Sequence, residues 1–127
     1  MSLDPSNTNI GYRLGRLFAT LEKVQQDANG TTTIRDRFYG AASSTPVMVF
    51  GNIMRLTNHH LSKLEKENIG LFIVRKKLLG EIHDEIADYP PHLKLDDQGR
   101  FAIGYYHQMQ DFYTKKTISQ PTERNVP

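Results

Sequence analysis

The sequence predicts an all-α fold, a single-domain bundle of about five helices. Three observations carry that prediction. Apolar residues recur at spacings of three and four across most of the chain, and no stretch alternates with period two for more than a few residues. Asn, Thr, Gly and Pro stand between these stretches, where helix caps and breaks belong. The 127 residues suffice for one domain around one core, and no internal repeat is visible.

The elements follow in order. Residues 1–8 are expected to form a flexible leader, after which residues 9–117 form the bundle. Asn7, Thr8 and Asn9 all suit an N-cap. Ile10, Leu14, Leu17, Leu21, Val24 and Ala28 then follow at steps of 4, 3, 4, 3 and 4, which places Leu17 and Leu21 in a buried seam. Asn29-Gly30 supplies the stop. A second helix is expected from about Thr33 to Ser43, opened by Thr33-Ile34-Arg35-Asp36, a capping box with Asp in place of Glu. Gly40 weakens it by ~1 kcal/mol relative to Ala.

Thr45 as cap and Pro46 at the first helical position open a third helix that runs to about Lys66. Its inward face is expected to hold Val47, Phe50, Met54 and Leu61, flanked by Ile53 and Leu56. Asn68-Ile69-Gly70 breaks the pattern. Val74, Leu78, Ile82 and Ile86, spaced by four, predict a fourth helix that ends before Pro90-Pro91. The fifth runs from about Asp96 to Lys116, with Ala102, Tyr105, Met109 and Phe112 inward and Asp96 as its cap. Residues 118–127 are expected to be a flexible tail.

Composition excludes several kinds of chemistry. Without cysteine there are no disulfides, thiolate zinc sites, iron–sulfur clusters or cysteine nucleophiles. Neither a glycine-rich phosphate loop nor a nucleophile elbow is present, since Gly11 and Gly15 lie inside a helical pattern. His59-His60 point about 100° apart on a helix and cannot chelate one ion together. His83 lacks the second histidine of a zincin helix. Asp84-Glu85 diverge on their helix, and Asp96-Asp97 sit where acids offset the positive end of a helix dipole. No catalytic residue, metal or cofactor is expected. The first residues lack the basic and apolar regions of a signal peptide, and no run approaches the ~20 apolar residues of a membrane span, so the cytoplasm is the expected location.

Basic residues are the feature left over. The net charge is only +2, so polyanion binding has to come from local patches. Residues 1–63 hold seven Lys/Arg against four Asp/Glu, whereas residues 64–127 hold nine against ten. Arg13, Arg16 and Lys23 lie within about 80° of one another beside the apolar seam of the first helix. Arg35 and Arg37 bracket Asp36. Arg75-Lys76-Lys77 cannot share a face, so part of that run is solvated. Lys115 and Lys116 also complement the negative end of their helix. Arginine is the informative type, because its planar fork holds phosphate bidentately. Tyr12, Phe18, Phe38, Tyr39, Tyr105, Tyr106, Phe112 and Tyr113 interleave with these charges. Adjacent tyrosines cannot both face inward, and a rim tyrosine can stack on a base or bond a phosphate.

Three stretches carry a family resemblance: Tyr12-Arg13-Leu14-Gly15-Arg16-Leu17-Phe18-Ala19; Thr33-Ile34-Arg35-Asp36-Arg37-Phe38-Tyr39-Gly40-Ala41-Ala42; and Gly104-Tyr105-Tyr106-His107-Gln108 with Tyr113-Thr114-Lys115-Lys116. Together, over roughly residues 4–117, they resemble the C-terminal helical domain of the large subunit of the type I-C CRISPR interference complex, Cascade. That domain is similar to a small subunit made separately from an internal start. The resemblance implies a non-enzymatic helical bundle that contacts the guide RNA–target DNA heteroduplex or the displaced DNA strand without reading sequence. By position it assigns those contacts to Arg13, Arg16, Arg35, Arg37, Lys115 and Lys116. It implies partners among the large subunit, the backbone subunits and another copy of the chain, and no membrane. Ile10-Gly11 and Lys94 depart from the family pattern. The rival expectation is an assembly module whose arginines pair with carboxylates. Of Arg35 and Arg37, one is expected to bind an acid internally, either Asp36 or one on the fourth helix.

Overall fold

The computed structural model describes the backbone of residues 2–124 and the side chains of residues 2–114. Five helices follow in order: α1 Ile10–Asn29, α2 Ile34–Ser44, α3 Pro46–Glu67, α4 Ile69–Asp84 and α5 Leu95–Arg124. Among the described residues there is no strand. The domain is all-α, and its axis is α1, which packs on every other helix.

Both ends of α1 form as their residues dictate. The Asn9 side chain accepts from the Tyr12 N–H at 3.0 Å. Gly30, at φ 80°, caps the other end and donates to the Gln26 carbonyl at 2.7 Å. Leu14, Leu17, Leu21 and Val24 are buried in the core as the spacing predicts. The burial does not stop at that seam. Arg16, Thr20, Glu22, Lys23 and Gln25, on the other flank, are buried too. The apolar stripe of α1 therefore faces one part of the bundle while α5 covers much of the polar flank.

The α1–α5 crossing is the largest interface in the domain. The two helices run in the same direction: Asn9 bonds Asp97 and, farther along both, Arg16 bonds Gln108. Glycines permit their close approach. A Cβ added at Gly11, Gly15 or Gly104 would strike the backbone of Asp97, Phe101 or Tyr12 respectively. Gly11 and Gly15, four apart, lie on one face of α1. Around the crossing Phe18 touches Tyr39, Phe50, Phe101 and Tyr105, with ring centroids 5.6–6.5 Å apart.

Several local expectations are corrected. Thr33 does not close a capping box. Instead Gln25 of α1 accepts from the N–H groups of Thr33 and Ile34 at 2.8 and 3.2 Å, so the cap of α2 comes from another helix. Thr45 precedes Pro46 as expected but makes no side-chain cap. Its hydroxyl donates back to the Ala41 carbonyl at 3.2 Å. The inward face of α3 is Phe50, Ile53, Thr57 and Leu64, while Val47 is 49% exposed. The helix carries more apolar positions than one stripe needs, and packing on α1 selects the stripe through Ile53.

The fourth helix stops at Asp84, several residues before the prolines. Ile86 still reaches the core, because a tight turn bonds its N–H to the His83 carbonyl at 3.0 Å. The segment after it is stitched to the α2–α3 junction. Pro90 accepts from Val47 at 3.1 Å, and Leu93 donates to Ser44 at 2.9 Å. Asp96 lies in the first turn of α5 and does not cap it, since the helix begins at Leu95. The helix is described to Arg124, beyond the expected end at Lys116.

Candidate nucleic-acid interface

Of the six basic residues singled out in the sequence, the four whose side chains are described do not share a surface. Arg13 and Arg16 are committed to the fold. The Arg13 guanidinium donates to the Asn7 carbonyl at 3.2 Å and the Glu85 carbonyl at 2.9 Å, and lies 3.4 Å from the Glu85 carboxylate. Arg16 is 4% exposed, and its Nε donates to the Gln108 side chain at 3.0 Å. Its Nη1 and the Gln108 Nε2 are buried without partners. An arginine in that position cannot present its fork to a phosphate outside.

The internal pairing expected of Arg35 or Arg37 thus falls on Arg13 and on the acid just past α4. Other cations of this region are absorbed in the same way. Asp27 takes both Lys23, at 3.5 Å, and Arg75, at 2.7 Å, and Arg75 also lies 4.8 Å over the Phe112 ring.

Arg35 and Arg37 are different. Both are exposed, and among the described residues neither has an ion-pair partner. Two positions apart on α2, they diverge by about 160°. Arg35 leans toward α5 and lies 5.6 Å over the Tyr105 ring. Tyr105, not solvent, takes up the nearby acid: its hydroxyl donates to the buried Glu22 carboxylate, which also accepts from Thr32 at 3.1 Å. The Arg35 pKa is raised, first by Tyr105 and then, against a lowering by desolvation, by Glu22, Tyr106 and Tyr39. Burial and then the bond to Glu22 push the Tyr105 phenol well above its ordinary value. Tyr106, beside it, is 57% exposed and is the rim member of that tyrosine pair.

Arg37 turns the other way. It lies 4.9 Å over the Phe38 ring and lines a groove of about 370 Å³ between α2 and α3. The other lining residues are Phe38, Asn52, Arg55, Leu56 and His59, so no carboxylate faces this groove. Sequence reasoning passed over Arg55, because a single arginine on a long helix carries no pattern. Its signal was the spacing Asn52, Arg55, His59, which puts three donors on one face of α3. The side chains of Lys115 and Lys116 lie outside the described residues.

The family model for CRISPR-associated protein (Cas_Csd1) matches residues 1–113. The chain belongs to this family. No curated protein matches it. The match takes in α1 to α4 and most of the described part of α5, and with them Arg35, Arg37 and the α2–α3 groove. Among the described residues no three His, Asp or Glu converge as a metal site, and no helix is long and apolar enough to cross a membrane.

The Cas_Csd1 domain also exposes apolar surface. On α4, Ile69, Ile73 and Val74 stand in solvent, while Ile82 is the fully buried residue of that helix. Val74 was expected on the inward face. It is 56% exposed, while its neighbour Arg75 turns to Asp27 of α1. A second groove, apolar and about 340 Å³, runs between α1, α3 and α4 past Leu17, Leu21, Met54, Leu61 and Leu79.

Proposed function

We propose that this chain acts as a non-catalytic small subunit of a type I-C CRISPR interference complex, Cascade, or as the equivalent domain of its large subunit. It stabilises the guide RNA–target DNA R-loop by contacts to the sugar–phosphate backbone, in the cytoplasm, beside the other Cascade subunits. Base pairing supplies the sequence specificity, and backbone contacts tip a strand exchange that is nearly balanced. The observation that carries this reading is the state of Arg35 and Arg37. In a fold that pairs Arg13, Lys23 and Arg75 with acids, these two remain exposed and unpaired. Family membership places them in a CRISPR-associated protein.

The test is charge reversal in the assembled complex. Arg35→Glu and Arg37→Glu should lower R-loop formation while the melting temperature of the chain stays at the wild-type value, since exposed charges contribute little to stability. The isolated chain should bind DNA without sequence preference, at roughly 10⁻⁴–10⁻⁶ M at physiological salt. Nanomolar affinity for one sequence would refute the backbone reading.

A second reading, an assembly module without nucleic-acid contact, is favoured by the exposed Ile69, Ile73 and Val74 on α4. Exposed apolar residues grouped on one helix mark an interaction surface. In that case Ile73→Glu would block incorporation into the complex, and the Arg35 and Arg37 variants would form R-loops at the wild-type level.

A further inference from the structure

The α2–α3 groove brings together two arginines from different helices with no acid between them. Like charges converge in this way at a cost unless a third, anionic group completes the set. The remaining lining residues are of the kinds an anion needs. Asn52 and His59 carry N–H donors, and Phe38 and Leu56 form apolar walls. Stacking on Phe38 restrains the plane of the Arg37 guanidinium and leaves its N–H edge available.

Asn52, Arg55 and His59 are spaced by three and four on α3, and seven residues of helix span about 10 Å. That line of donors reaches beyond one phosphate to the next along a strand, because successive phosphates lie farther apart than the axial rise of ~3.4 Å per nucleotide. It is longer than an isolated phosphate requires and suits a continuous backbone. We infer that this groove is a seat for consecutive phosphodiesters of a nucleic-acid strand. Arg37 and Arg55 hold the phosphates from opposite walls, and Asn52 and His59 add donors along the strand. The inference rests on the backbone-contact reading above and gives it a location that the sequence did not indicate.

The probe is a fluorescein-labelled oligothymidylate, titrated with the full chain at a series of salt concentrations and read by anisotropy, with each variant's melting temperature measured alongside. Arg55→Ala should weaken binding about tenfold and reduce the magnitude of the salt slope by about 0.7, the value for one single-strand phosphate contact. Asn52→Ala should weaken binding without changing the slope. Lys77→Ala removes an exposed cation outside the groove and should do neither.

If Arg55→Ala and Lys77→Ala act alike, only net charge matters and the groove is not a seat. If Arg55→Ala binds as the wild type does while Arg35→Glu does not, the groove assignment falls and the broader reading stands. If the wild-type chain fails to bind the oligonucleotide even at the lowest salt, both fall.

Discussion

Arg13 on α1 fastens the main chain just beyond α4, donating to the Glu85 carbonyl at 2.9 Å with the Glu85 carboxylate 3.4 Å away. The stronger of the two contacts is to the backbone, so the side chain of Glu85 is the lesser partner. Arg13→Ala should therefore cost about 1.5–3 kcal/mol, the range for a charge-assisted bond. Glu85→Gln should cost well under half of that, because it leaves the carbonyl in place and removes only a partly exposed ion pair. Urea unfolding of the two variants measures the difference. Equal losses would show that the carboxylate, not the carbonyl, holds the arginine.

The α1–α5 crossing makes an opposite pair of predictions for glycine. A methyl at Gly15 would sit 2.8 Å from the Tyr105 backbone nitrogen, with no flexible side chain to yield. Gly15→Ala should destabilise by about 1–3 kcal/mol, the usual cost of overpacking. At Gly40 an added Cβ meets nothing within 4 Å, so Gly40→Ala should stabilise by up to ~1 kcal/mol through helix propensity alone. Thermal melts of both variants decide the matter, and a stabilised Gly15→Ala would mean the helices cross less closely.

Gln25 is expected to behave as a cap although it lies outside α2. Gln25→Ala removes the acceptor of two orphan N–H groups and should cost about 0.5–2 kcal/mol, the range for losing an N-cap. Gln25→Glu keeps the acceptor and should retain most of the stability. Amide hydrogen exchange at Ile34 reads the cap directly and should speed up in the alanine variant alone.

His60 should make stability depend on pH. Burial, then His59 and Lys63, hold its pKa below the ordinary 6.5, and its Nδ1 is buried without a partner. The unfolded chain therefore binds the proton more readily than the folded one. Its contribution to stability is complete above pH 6.5 and is lost as the pH falls through the lower, folded-state value. His60→Phe should flatten the melting temperature against pH in that interval. An unchanged slope would assign the dependence to other groups.

The elements were legible where local chemistry decides them. Asn9, Gly30 and Pro46 sit at helix ends for local reasons, the first through its side-chain acceptor, the second because glycine tolerates positive φ and the third because its φ is preset for the first helical turn. Thr33 and Thr45 failed as caps because better partners were in reach: Gln25 from α1 in one case, the Ala41 carbonyl in the other. The glycine pair Gly11 and Gly15 was visible, but its meaning depends on Gly104, a residue of another helix.

The candidate site divides along the same line. A basic residue beside an apolar seam reads as solvated if the helix has one covered face. α1 is covered nearly all round, and Arg16 went inside with it. Arg35 and Arg37 lie on a helix with one covered face, and both stay exposed where the sequence led us to expect one of them to pair internally. Arg55 became visible only when α3 was laid against α2.

The pairing of α1 with α5 has a kinetic consequence. The interface with the most contacts joins the first helix to the last, through partners such as Arg16 and Gln108 that are 92 positions apart. Neighbouring helices such as α2 and α3 can dock early, but Arg16 and Glu22 of α1 lack their α5 partners until that helix arrives. Closing so long a loop is costly in entropy, and bundles dominated by such contacts fold more slowly than up-and-down bundles of the same size. During synthesis Arg16 and Glu22 are therefore expected to stay hydrated until the fifth helix has left the ribosome.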